Sequence, residues 1–411
     1  MPSYTRAPVP RGPLKRSLLF LHVPKTGGST LTGVLSNRFA PDDCLSLYFG
    51  PEPDLKDLDR FRYITGHVGL SFLEQFERPP FVFTFIRDPI DRALSSYSYT
   101  RAFPPEYQPD VALLGPELYE RWQKFRRLAR ECSIGELIDR DPEIARAYFG
   151  NRQARALGSM AEGDERLDDA LDALERVDFV GVSERLEESA DWLARRLGWR
   201  ELSPVPRSNV SSARLSREQL PAETMDALLE LTSVDRELYA LALRRQERLI
   251  SEWSEAADPR DPSAEIPDAP AIRDLRFDGP IPGGGWLARE RLGEAPGFCW
   301  ISDSRRGFVD LASDQAADSL VVEIPHVLDP EILQSLRISV DGTTVRHDLS
   351  EREGATVATA PLGRHVFSGR DPTTRVTIEV DRSIRPCDLD PQSIDDRELA
   401  VAVSRVALCG S

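Results

Sequence analysis

The stretch Leu18-Leu19-Phe20-Leu21-His22-Val23-Pro24-Lys25-Thr26-Gly27-Gly28-Ser29-Thr30-Leu31 decides the reading of the chain. Its apolar run is unbroken, as in a strand buried on both faces of a parallel sheet. A loop with two adjacent glycines follows, and then a helical pattern over Ser29–Phe39. Such a loop, with the helix N-terminus behind it, makes an anion site: its N–H groups and the helix dipole point at the ligand. Gly27 and Gly28 allow close backbone approach. Ser29 and Thr30 are expected to cap the helix and offer hydroxyls, and Lys25 supplies a mobile charge. Lys25, Thr26, Gly27, Gly28, Ser29 and Thr30 are thus the candidate anion-binding set.

A second stretch repeats the logic: Phe81-Val82-Phe83-Thr84-Phe85-Ile86-Arg87-Asp88-Pro89-Ile90-Asp91-Arg92-Ala93-Leu94-Ser95-Ser96-Tyr97. Pro89 suits a first helical position. Arg87 falls at the strand's C-terminal end, where open α/β sheets bind ligands. Ser95 comes two turns into the helix, placed to face the same pocket. A fixed guanidinium and a hydroxyl suit a phosphate. Asp88 and Arg92 read as an ion pair of structural purpose.

Outward from these stretches, Phe61–Thr65 and Phe179–Val182 read as further strands. Pro89–Tyr99, Pro116–Glu131, Arg166–Arg176, Leu186–Leu197 and Ala222–Arg245 read as helices. Strands interleaved with helices imply a parallel sheet covered on both faces. Residues 256–270 are acidic and Pro-rich, a linker. Beyond it the helical pattern gives way to Ser319–Ile324, Leu336–Val340, Arg375–Val380 and Leu399–Leu408, with turns such as Asp341-Gly342 between them. The expected architecture is α/β, a P-loop-like parallel sheet flanked by helices over 14–255, then an antiparallel β-sandwich over 271–411. Both motifs precede the linker, so residues up to Glu255 are expected to fold alone. Trp286 and Trp300 read as packed side chains rather than sugar platforms.

A formal net charge of −16 argues against nucleic acid as partner. Five scattered cysteines (Cys44, Cys132, Cys299, Cys387, Cys409) have no metal-ligand spacing and read as reduced thiols. No apolar run spans a bilayer, and no signal-peptidase site follows Ser17–Val23, so a cytoplasmic location is expected. Arg-, Ala- and Pro-rich usage fits a bacterial source.

The order Pro-Lys-Thr-Gly-Gly-Ser-Thr at residues 24–30 places the lysine before both glycines, unlike the nucleoside-triphosphate loop. It resembles the 5′-phosphosulfate loop of sulfotransferases that use 3′-phosphoadenosine-5′-phosphosulfate (PAPS). Arg87, Asp88, Pro89, Arg92, Ser95 and Tyr97 resemble the family's Arg-Asp-Pro-x-x-Arg-x-x-Ser-x-Tyr signature. The resemblance implies that Arg87 and Ser95 hold the 3′-phosphate of PAPS. Asn151-x-Gln153-x-Arg155 is similar to a segment that approaches the acceptor, and Phe179–Leu186 to a late strand and turn. Arg207–Ser211 is similar to a basic loop that closes on the nucleotide. Transfer to an alcohol needs a base, for which histidine is the default. The first 255 residues hold two, His22 and His67. His67, in Thr65-Gly66-His67, resembles the catalytic histidine of the carbohydrate 2-O branch. It is therefore the expected base, with Lys25 stabilising the leaving group. His22, Arg152 and Arg155 are assigned to the substrate side, and His22 is the alternative base. The implied reaction moves a sulfuryl group from PAPS to a hydroxyl of a carbohydrate, without metal. The alternatives are a kinase on a related fold and a non-catalytic glycan-binding protein.

Overall fold

A computed structural model describes residues 16–48, 55–102, 115–158, 167–206, 215–255 and 272–410, apart from 315, 368–372, 391 and 394. The linker at 256–270 and the Arg207–Ser211 loop lie outside the described residues.

Five parallel strands form the sheet of the first half: β1 (Leu18–Leu21), β2 (Cys44–Leu47), β3 (Tyr63–Gly66), β4 (Phe81–Ile86) and β5 (Phe179–Val182), in the order β2-β3-β1-β4-β5. β1, β3, β4 and β5 are buried at every position, which is why their sequences are continuous apolar runs. One face of the sheet meets Leu31, Val34 and Leu35 of helix α1 (Gly28–Ser36), and the other meets Leu157, Ala170 and Leu174. Each fully buried Leu or Phe stabilises the fold by about 1.5–3 kcal/mol. Helix α2 (Pro89–Ala102) follows β4.

The differences from the expected elements have local causes. β2 was not expected: it is a half-exposed edge strand without an apolar run. The single helix expected over Ala222–Arg245 is two, Ala222–Leu231 and Ser233–Glu255, which part at Thr232. Three short helices, Ile134–Arg140, Pro142–Tyr148 and Arg152–Leu157, were also not expected.

The second half contains antiparallel sheets. One runs Asp348–Arg352, Ala355–Pro361, Ser319–Ile324, Arg405–Cys409, Asp274–Arg276. Another runs Thr343–Val345, Arg337–Val340, Thr373–Glu379, Arg306–Ala312, Gly283–Gly284. Both contribute to one apolar core that includes Leu320, Val322, Val406, Val309, Ile338 and Ile378. Asp341 and Gly342, with φ of 46° and 82°, make the expected tight hairpin. The expected strand over Leu399–Leu408 breaks at Ser404. Val401–Val403 joins a three-stranded sheet, and Arg405–Cys409 joins a five-stranded one.

The two halves have separate cores but a shared boundary on α1. Asn37, just past the end of α1, is 2% exposed. Its carbonyl accepts from Ile281 N at 2.7 Å, its side-chain amide donates to Leu287 O at 2.8 Å, and its Oδ1 accepts from Arg289 N at 3.1 Å. Arg375 of the second half, held by its neighbour Asp310, pairs with Glu201 of the first half.

Candidate active site

Strand register assembles the site. Leu21 of β1 pairs with Gly66 of β3 on one side and with Thr84 of β4 on the other. The next residue after β1 is His22, and the next after β3 is His67, so the two histidines emerge side by side. Their ring centroids are 5.0 Å apart. β4 runs two residues further and delivers Arg87 on the opposite flank. The β1 loop therefore lies between a histidine pair and a guanidinium, all at the C-terminal edge of the sheet.

The loop itself is tightly bound. Gly27 caps α1 with φ 82°, a left-handed conformation that glycine adopts without cost. Lys25 is left-handed too, at φ 71°, a conformation that costs a non-glycine residue about 1–2 kcal/mol. Arg87 Nη1 donates to the Lys25 carbonyl at 3.2 Å and so helps hold that conformation. The Lys25 ammonium lies 3.3 Å from the centroid of the Tyr99 ring. Thr26 is fully buried and its hydroxyl donates to Val23 O at 2.8 Å, so its side chain serves the loop. The expected capping by Ser29 and Thr30 is corrected: α1 starts at Gly28, which places both inside the first turn, and Gly27 makes no side-chain cap. The first-turn amides lack intrahelical partners by position.

His22 packs flat on Phe20, at 5.3 Å and 16° between rings. A methyl group at Gly28 would stand 2.0 Å from His22 Cδ2, so glycine there is what lets the imidazole lie against the anion loop. His22 Nδ1 is 2.8 Å from the Tyr48 hydroxyl, which also meets Thr32 and Thr65 at 2.9 and 2.7 Å. Burial, with the charges of His67 and Lys25 added, lowers the His22 pKa to about 3. Burial, then the nearby Arg152 charge, lowers that of His67 to about 4. Both rings are neutral at pH 7, the form that a base needs. His22, His67, Arg152 and Arg155 line one small cavity of about 20 Å³. Arg155 is 1% exposed and donates to the carbonyls of Ala147 and Gly150, each at 3.1 Å, which ties it to the helix before it.

On the other flank, buried Gln153 clamps Arg87: Oε1 accepts from Arg87 N and Nε2 donates to Arg87 O, both at 2.8 Å. The Ser183 hydroxyl, in the turn after β5, donates to Thr26 O at 2.5 Å and lies 3.0 Å from Ile86 O. That turn fastens the two motif loops together. The expected Asp88–Arg92 ion pair is corrected. Asp88 Oδ1 caps α2 at the amides of Ile90 and Asp91, and the carboxylate pairs with Arg217. Arg92, 1% exposed, donates to Tyr148 O and Phe149 O at 3.1 and 2.7 Å. Ser95 and Tyr99 lie four residues apart on one face of α2, and Lys25 reaches that face through Tyr99.

A model of the sulfotransferase family matches residues 14–242, more than half of the chain. The chain belongs to the sulfotransferase family. Comparison with curated proteins found no match. The matched residues hold the whole parallel sheet and both motif loops of this sulfotransferase, and end inside the long helix Ser233–Glu255. The enzyme class that follows is a transferase of sulfuryl groups. Among the described residues no helix is long and apolar enough to cross a membrane, and all five cysteines are free thiols. Arg207 lies outside the described residues. Tyr48, Tyr99 and Ser183 were not expected at the site. No local motif marks Tyr48 or Tyr99, and Ser183 falls within the Phe179–Leu186 segment without being singled out there.

Proposed function

We propose that this sulfotransferase moves a sulfuryl group from PAPS to a hydroxyl of a carbohydrate acceptor, with the cytoplasm as its location and no metal involved. The observation that carries the reading is the clasp of Arg87 on the Lys25 carbonyl, which joins two anion-binding elements at adjacent strand ends. The residues fit the donor. A P-loop-like turn of Lys25 to Thr30 would hold the 5′-phosphosulfate on first-turn amides. Arg87 and Ser95 would hold the 3′-phosphate, and Arg207 would belong to a loop that closes on the nucleotide. PAPS supplies the sulfuryl group. Lys25 places positive charge where the bridging oxygen becomes anionic. His67 takes the proton of the attacking hydroxyl, and Arg152 on the same cavity faces the acceptor. His22, fixed between Tyr48 and Gly28, supports the loop. A kinase would need its phosphate lysine after the glycines, and Lys25 precedes them.

Nucleotide choice tests the donor. 3′-Phosphoadenosine-5′-phosphate (PAP) is expected to bind far tighter than ADP in calorimetry without metal, because a charge-assisted contact to the 3′-phosphate adds about 1.5–3 kcal/mol. Equal affinities would remove Arg87 and Ser95 from the nucleotide site.

Lys25→Ala is expected to lower turnover more than it weakens PAP binding, since its charge acts most as the leaving oxygen becomes anionic. The substitution also relieves the Tyr99 contact and alters a left-handed residue, so Lys25→Arg is the matched control. Near-normal turnover of Lys25→Ala at saturating PAPS would contradict the assigned role.

A further inference from the structure

The second half of the chain carries a cavity of about 450 Å³ that the sulfuryl chemistry does not use. This is within the range of about 300–1,000 Å³ for small-ligand sites. Beneath it lie packed aromatic side chains, Phe298 and Trp300, 2% and 6% exposed. Phe298 and Trp300 belong to a small apolar cluster set apart from the main core of that half. The half-buried His326 ring meets Phe298 edge-on at 4.7 Å and lies tilted at 6.3 Å from Trp300.

The walls are of a different kind. One is the hairpin of Asp348–Arg352 and Ala355–Pro361, which brings Glu351 and Thr356 to the cavity. Asp348–Arg352 is exposed at all five positions and so covers no core. An edge strand of that sort adds little burial and leaves an open ladder edge; its contribution here is to enclose the cavity. The opposite wall holds Leu292, 59% exposed, and Glu290. Arg397 holds the Glu290 carboxylate at 2.6 Å, in a network with Asp395. No lysine or arginine lines the cavity.

The half-buried His326 ring, with the apolar Val327 and Leu292, accepts the C–H face of a sugar ring, and the Glu351 carboxylate and Thr356 hydroxyl accept hydrogen bonds from its hydroxyl edge. The Glu351 carboxylate, in a lining that holds no lysine or arginine, disfavours an anionic ligand, while Glu290 is already paired with Arg397. We propose that this cavity is a second glycan site that takes an uncharged saccharide, a part of the acceptor away from its reacting hydroxyl. The proposal rests on the carbohydrate reading above. Binding there would raise the local concentration of acceptor at the catalytic half. A sulfated saccharide would be held less well, because Glu351 repels its charge.

The test titrates the full-length chain, by calorimetry, with four neutral tetrasaccharides (of maltose, cellulose, mannan and N-acetylated chitin type) and with the O-sulfated form of each. At least one neutral probe is expected to bind saturably, and its sulfated form about tenfold more weakly. His326→Ala and Glu351→Gln should each weaken the neutral probe about tenfold, the loss of one good contact. Leu389→Ala, exposed in the same half but not lining the cavity, should leave it unchanged. No saturation by any neutral probe up to about 10 mM overturns the proposal. So does binding that survives both cavity substitutions, or tighter binding of an apolar decapeptide than of any sugar. PAP binding, measured on the same samples, keeps the two readings apart. Failure of the sugars with PAP still bound removes the cavity site alone, whereas failure of PAP strikes the donor assignment and leaves the sugar result to stand by itself.

Discussion

His67→Ala should lower turnover by about 10²–10⁴, the usual share of a positioned acid–base group, and leave PAP affinity nearly unchanged. The proposed nucleotide elements lie on the β1 loop and the β4 flank, whereas His67 stands beyond β3. The pH profile adds a finer expectation. An exposed imidazole titrates near 6.5, but burial and the Arg152 charge lower His67 to about 4. In the free enzyme, kcat/KM should therefore hold its plateau through pH 5 and fall only near 4, as His67 gains a proton and stops being a base. An anion bound at the adjacent loop favours the charged imidazole and raises that pKa. The acidic limb of kcat should accordingly lie above that of kcat/KM.

Stability changes over the same range and needs its own measurement. Both His22 and His67 have folded-state values below the unfolded 6.5. The unfolded chain then binds more protons from about pH 6.5 down to about 4 for His67 and about 3 for His22, so stability falls as pH falls through that window. Denaturant unfolding at each pH separates this loss from the kinetic limb. A His67→Ala enzyme that keeps both rate and limb would move the base to His22 first and to a strand-end carboxylate second. It would also remove the likeness to the 2-O branch, and with it most of the case for a sugar hydroxyl.

The parts of the site that the sequence discloses are those in which one short segment does one job. Residues 24–30 form a turn from their own backbone, and Arg87 follows a strand buried at all six positions; both show in a linear string. Gly66-His67 is legible for the same reason, as the end of β3. The fastening of these segments to each other is not local. Gln153 reaches Arg87 across 66 residues and Ser183 reaches Thr26 across 157. Hydrogen bonds of that span depend on the order in which strands pack, which periodicity does not encode. Tyr48 shows the limit most clearly. It follows the half-exposed edge strand β2, whose weak apolar signal hides the strand and with it the residue that holds His22. The short helices within 134–157 begin at Ser133, which makes a capping box with Glu136, and at Asp141, which caps Pro142–Tyr148. Those signals are present in the sequence, but helices of six or seven residues give too little periodicity to stand out.

A chain ending at Glu255 is expected to lose most of its PAP affinity and much of its stability, contrary to the independence that the placement of the motifs implies. The reason lies in α1. Its N-terminal turn is the proposed anion site, and its far end is held by the second half of the chain. Truncation removes the partners of all three Asn37 hydrogen bonds described above, each worth about 0.5–1.5 kcal/mol. It also removes the contact of Ala288, whose Cβ is 3.0 Å from where a methyl group at Gly33 would be, and the Arg375–Glu201 pair. Domains are stable by only about 5–15 kcal/mol in total, so the loss is a large fraction. Freed at one end, α1 can shift against β1, and the first-turn amides shift with it. Calorimetry with PAP and denaturant unfolding of residues 14–255 check this, and adding residues 272–411 in trans should restore part of the PAP affinity. Asn37→Ala in the full chain provides a milder version: a lower unfolding midpoint, with PAP still bound. If the fragment instead unfolds at the midpoint of the intact chain and binds PAP equally well, the contacts at Asn37 do no more than keep two independent units adjacent. The second half would then act on catalysis only through what it binds.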